Sequence, residues 1–100
     1  MNKRNIILIG MPGAGKSSVG VILAKALGYE FIDTDLVIQH REKRLLREII
    51  ADEGNEGFLA IENEVNATLE ADKSVIAPGG SAIYGKEAME HFKEIGTIVY

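Results

Sequence analysis

The stretch that most restricts this chain is "IILIGMPGAGKSS" at residues 6–18, an apolar run that breaks into glycines, a proline and a lysine. Ile6 to Ile9 is short, continuous and ended by Gly10, which suits a strand buried on both faces. After Lys16 the period changes. Val19, Ile22, Leu23, Ala26 and Leu27 fall on one helical stripe, and Gly28 follows as a C-terminal cap. A buried strand that turns into a helix through so glycine-rich a corner must hold something at close range.

Gly10, Gly15, Lys16 and Ser17 fit the pattern G-x-x-x-x-G-K-[ST], with the strand before and the helix after that the pattern requires. A phosphate chain needs backbone N–H groups turned inward, and glycines allow the main chain to curl and approach closely. Lys16 supplies a point charge for the β and γ phosphates. Ser17 offers a hydroxyl to Mg²⁺, and the start of the helix adds its partial positive charge. The candidate nucleotide contacts are therefore Gly10, Gly13, Ala14, Gly15, Lys16, Ser17 and Ser18. Pro12 has no N–H to give and is expected to shape the loop. ATP with Mg²⁺ is the expected ligand.

Further along, "YEFID" reads as a second strand, residues 35–53 as a charged helical stretch, and Phe58, Ile61, Val65 and Leu69 as another helical stripe. "SVIA" is a third strand that stops at Pro78-Gly79-Gly80. Ala88, Met89, Phe92 and Ile95 mark a helix before Gly96, and "TIVY" is a fourth strand. Strands alternating with helices predict a three-layer α/β/α domain around a parallel sheet. A final strand with no helix to cover it suggests the N-terminal portion of a larger α/β domain, with residues 1–100 forming one unit.

Composition narrows the class. The chain is 46% apolar and 26% charged, as ordinary globular proteins are, and its formal net charge of −4 argues against a general nucleic-acid binder. Absence of cysteine rules out disulfides and thiolate metal sites. The apolar run before Gly10 is too short for a signal-peptide core or a membrane span, so a cytoplasmic protein is expected.

No acid follows the third strand, where motors and GTPases of this class usually place the Mg²⁺-associated aspartate. The acids lie at the end of the second strand, in "FIDTD". Asp33 and Asp35 are two apart and in extended chain would face one side. One would serve the Mg²⁺ shell and the other would take a proton from an attacking hydroxyl. The competing reading is that one of them only caps the next helix.

With these residues in hand, "LIGMPGAGKSSVGVILAKALGYEFIDTD" resembles the opening of the shikimate kinase family, a phosphate loop and helix followed by a D-x-D pair. "VIAPGG" resembles that family's glycine motif at the tip of the third strand. The resemblance implies a P-loop fold like that of the nucleoside-monophosphate kinases. It implies transfer of the ATP γ-phosphoryl group to a hydroxyl of shikimate, a step of aromatic amino acid biosynthesis. It places Lys16 and Ser17 at phosphate and Mg²⁺, Asp33 near the metal, and Asp35 at the substrate hydroxyls as the candidate base. Gly79 and Gly80 would present N–H groups to the substrate, with Phe58 and Glu62 alongside. It also implies continuation into a lid, further arginines and a fifth strand.

Two residues depart from the family. Its F-R-x-x-E pattern reads "FLAIE" here, so Leu59 stands where an arginine would grip the substrate carboxylate. Its three glycines read "GGS", so Ser81 takes a position that glycine dihedrals would suit. These departures keep two alternatives open: a P-loop kinase for a less anionic hydroxyl metabolite, and a nucleotide-binding module without transfer.

The remaining signals are weaker. His40, Arg41, Lys43, Arg44 and Arg47 form a basic run interrupted by Glu42 and Glu48, which reads as a solvated helix face with Arg47 a candidate anion contact. His91 is expected at the surface, and Met11 and Met89 are packing residues. Phe58 serves either the core stripe or a pocket wall.

Overall fold

The structure is a computed structural model that describes residues 4–10 and 13–100, and for residues 13–17 the backbone alone. Four short strands are β1 (Asn5–Leu8), β2 (Glu30–Asp33), β3 (Ser74–Ala77) and β4 (Gly96–Val99). They lie parallel in the order β2-β3-β1-β4, with Ile6 opposite Val75, Phe31 opposite Val75 and Asn5 opposite Gly96. The helices are α1 (Gly13–Leu27), α2 (Thr34–Glu42), α3 (Leu46–Ala67) and α4 (Lys86–Ile95), with one 3-10 turn at Ala82–Tyr84. The alternation of strands and helices is the α/β arrangement that the sequence pattern predicts.

Because successive strand residues point to opposite sides, the sheet has two cores. Ile7, Ile9 and Ile76 face α4, where Phe92 is fully buried among them with Met89 and Ile95 packed alongside. Leu8 and Val75 face α1 and meet Ala24, with Leu23 and Phe31 around them. A third cluster of Ile38, Ile49 and Val65 joins α2 to α3, and Phe58 and Ile61 pack against it.

Three local expectations change on contact with the structure. The stripe along α1 is not its buried face: Val19, Ile22 and Leu27 are exposed, Ile22 at 69%, while Gly20 and Ala24 sit against the sheet. Small residues prevail there because Phe31 and Leu8 press so close that a Cβ on Gly20 would stand 2.5 Å from Phe31 Cε1. The charged helix of residues 35–53 is two helices, parted where Lys43 adopts a left-handed φ of 57°. Its second part runs on through the Phe58 stripe as α3, with a kink at Gly54 (φ 76°). Gly28 does cap α1, as expected. Its φ of 70° admits a Schellman closure in which Tyr29 N–H reaches Ala24 O at 2.8 Å and Gly28 N–H reaches Lys25 O at 3.4 Å.

A buried asparagine ties the strand origins together. Asn5 donates from Nδ2 to the carbonyls of Ala71 and Ile95, both at 2.9 Å, and accepts at Oδ1 from Ser74 N–H at 3.0 Å. One side chain thereby anchors the starts of β1, β3 and β4 in register. That leaves the opposite edge, where β1, β2 and β3 all end, to carry the chemistry.

Candidate active site at the strand ends

Gly10 follows β1 with a φ of 85°, and α1 begins three residues later at Gly13. The strand before and the helix after that the phosphate-loop pattern requires are thus both present. Met11 and Pro12 lie outside the described residues, as do the side chains of Ala14, Lys16 and Ser17. Ser18 is the first residue of α1 with a described side chain, and it is exposed.

The neighbouring strand end carries the two aspartates. Asp33 closes β2 and is the N-cap of α2, its Oδ1 accepting from Asp35 N–H at 2.9 Å. Capping and function are therefore compatible here, since the bond uses one carboxylate oxygen. Asp35 corrects the extended-chain expectation: it lies in the first turn of α2. There an acid is favoured by the helix dipole.

Asp35 is brought to a partner the strand pattern did not predict. A Cβ built on Gly79 would lie 2.9 Å from Asp35 Oδ1 and 3.0 Å from Glu62 Oε2. The two carboxylate oxygens are thus less than about 6 Å apart across the turn that ends β3. This is why position 79 excludes a side chain: any would enter the space where the two acids face each other. Gly80 differs, with open space around it.

Glu62 is only 2% exposed and comes from the C-terminal part of α3, beyond the kink. Ser81 Oγ donates to its Oε1 at 2.7 Å. The concern that Ser81 needs glycine dihedrals is resolved, because its φ of −89° and ψ of 1° are open to any residue. Leu59, Glu62, Asn63, Ser81, Tyr84 and Lys86 line a cavity of about 290 Å³ between α3, the 3-10 turn and α4. That volume suits a small metabolite. Phe58 does not line this cavity; it belongs to the α2–α3 core.

The cavity's far wall is fixed by Asn63. Gly85, the N-cap of α4, has no side chain to offer, and Asn63 Oδ1 instead accepts from Ala88 N–H at 3.0 Å. Its Nδ2 donates to Glu87 Oε1 at 2.9 Å, a bond that holds the Glu87 carboxyl below its ordinary value. Sequence reading missed both Asn63 and the Ser81–Glu62 contact. The only signal for the latter was that two motifs of the same family each depart at one position, Leu59 and Ser81.

The basic run is structural where its partners are described. Arg44 bridges Glu42, Asp52 and Glu53, and Arg41 pairs with Glu64. Those carboxylates, Glu64 for Arg41 and Glu42 first for Arg44, raise the guanidinium values further. Arg47 is exposed at the start of α3. His91 departs from the surface expectation: it is half-buried, and its Nε2 lies 2.6 Å from Leu69 O, the geometry of a ring N–H donating to that carbonyl. Met89 packs in the α4 core, as expected.

Among the described residues no three His, Cys, Asp or Glu side chains gather as a metal cage, and no helix is long and apolar enough to cross a membrane. Among the described residues, the Asp33 carboxylate at the end of β2 offers a hard oxygen donor. An oxygen of that kind fits Mg²⁺, which binds one or two protein oxygens and takes the rest from phosphates and water.

Comparison with known proteins agrees with this geometry. The profile of the shikimate kinase family matches residues 12–100. Shikimate kinase 2 of Yersinia enterocolitica is 39% identical over 97 residues, which are 97% of this chain and 56% of that protein. Shikimate kinase from Acinetobacter baumannii, solved in complex with shikimate, superposes with a TM-score of 0.85 at 37% identity, covering 96% of this chain and 54% of that one. The Aquifex aeolicus shikimate kinase gives a TM-score of 0.78 at 34% identity, covering 94% and 56%. The chain spans about half the length of the relatives it matches.

Proposed function

We propose that this chain, which belongs to the shikimate kinase family, transfers the γ-phosphoryl group of ATP to a hydroxyl of shikimate. Residues 1–100 would supply the nucleotide-binding core and the acceptor-facing helices of one P-loop kinase domain. The observation that carries the reading is the meeting of Asp35 and Glu62 at Gly79, on the same sheet edge as the glycine turn after β1.

In this reading Gly10, Gly13, Ala14, Gly15, Lys16, Ser17 and Ser18 embrace the nucleotide phosphates. Lys16 spreads the charge that develops on the transferred group. Ser17 and Asp33 hold Mg²⁺, which when bound neutralises phosphate charge and orients the γ-phosphoryl. Asp35 orients the acceptor hydroxyl and takes its proton as the oxygen attacks phosphorus. Gly79 and Gly80 offer main-chain groups to the acceptor, and Glu62 forms the buried wall beside them. Phe58 acts from behind, holding α3 against α2. The protein does little covalent work; it aligns a hydroxyl with phosphorus. The need for ATP and the lack of cysteine support a cytoplasmic setting, within aromatic amino acid biosynthesis.

The test is ADP release by the complete protein with Mg-ATP and a panel of acceptors. Turnover with shikimate is expected, and Asp35→Asn is expected to lower kcat by about 10²–10⁴-fold with the fold intact by circular dichroism. Wild-type turnover in Asp35→Asn would remove it as the base. Response to an uncharged polyol but not to shikimate would replace the acceptor. Tight Mg-ATP binding without any acceptor response would overturn transfer itself.

A further inference from the structure

Leu59 and Glu62 are three apart on α3 and so share one helix face, where an arginine at position 59 would lie within reach of the Glu62 carboxylate as well as of a substrate anion. Leucine can offer Glu62 nothing polar. The structure shows what does: Ser81 Oγ donates to Glu62 Oε1 at 2.7 Å, across 19 residues of sequence. The serine sits in ordinary backbone at φ −89°, so the turn itself does not require it. Leu59, Glu62 and Ser81 also border the same cavity. Two departures that look unrelated in sequence thus meet at one carboxylate.

Resting on the kinase reading above, we propose that Ser81 is a positioning residue that takes over from the missing arginine the task of holding Glu62. The bond fixes one carboxylate oxygen, so the other, Oε2, stays turned to the space beside Gly79 that it shares with Asp35 Oδ1. A glutamate side chain has several rotamers, and a buried hydrogen bond is strong enough to select one. Ser81 acts on the acceptor through Glu62. Its loss is felt in acceptor binding more than in the chemical step.

The experiment is steady-state kinetics of the complete protein with Mg-ATP and shikimate, on variants checked for folding by thermal melting. Ser81→Ala is expected to raise the shikimate KM roughly tenfold, the scale of a buried hydrogen bond, with kcat and the ATP KM nearly unchanged. Ser81→Thr keeps the hydroxyl and is expected to retain the wild-type KM. In a Leu59→Arg background the same Ser81→Ala change is expected to cost less than about twofold, because the arginine resumes the contact. Leu59→Arg combined with Ser81→Gly restores both family residues and is expected to bind shikimate at least as well as the wild type. An unchanged KM in Ser81→Ala, or a Ser81→Ala penalty equally large with and without the Leu59→Arg change, overturns the proposal while the kinase reading stands. A wild-type protein that binds Mg-ATP yet turns over no shikimate brings down the acceptor reading, and this proposal with it.

Discussion

The two faces of the sheet are built on opposite packing rules. On the α4 side, bulk fills the space: Phe92 is wholly buried between Ile7, Ile9 and Ile76. On the α1 side, smallness brings the helix in: Gly20 and Ala24 touch the sheet, and the larger Val19 and Ile22 turn outward. The contrast teaches that an apolar stripe identifies a helix's buried face only where the helix stands a side chain's length from its neighbour. Where it comes closer, residues without bulk take the interface. For α1 the close approach holds the start of the helix, which follows the glycine-rich corner after β1, firmly against β2 and β3.

Three substitutions would break or sharpen this contrast, each read by urea denaturation. Phe92→Ala is expected to destabilise most, by about 3–5 kcal/mol, through lost burial and the cavity left behind. A loss below about 1 kcal/mol would mean the α4 face collapses easily and is not filled as tightly as it looks. Gly20→Val is expected to cost about 1–3 kcal/mol, because its Cβ must displace the Phe31 ring or push α1 outward. Ile22→Ser is expected to change stability by no more than about 0.5 kcal/mol, since Ile22 is exposed and the two residues have similar helix propensity. Equal losses at positions 20 and 22 would erase the distinction between the two sides of α1.

Much of the candidate site was legible before any coordinates. The glycine-rich corner after Ile9, the acids at the β2–α2 junction and the glycines after β3 are each announced by local chemistry within a few residues. Their arrival at a common edge follows from parallel strands, which the alternation of strands and helices already implies. Glu62 was flagged only through a family pattern. Nothing near it in sequence says that its carboxylate would lie beside Gly79, or that Ser81 would reach it. Asn5 and Asn63 were silent for the same reason: each satisfies backbone groups of segments remote in the chain, and a lone asparagine has no periodic signature.

The sequence by itself determined the glycine-rich corner between β1 and α1, the alternation of strands and helices, and the two aspartates at the β2–α2 junction, because these depend on turn chemistry and on repeat spacing along a few residues. Tertiary structure alone decided which face of α1 packs, where α3 kinks into position, and that Glu62, Ser81 and Asp35 converge. Those outcomes depend on how closely two surfaces approach, a distance set by side chains that lie far apart in the chain.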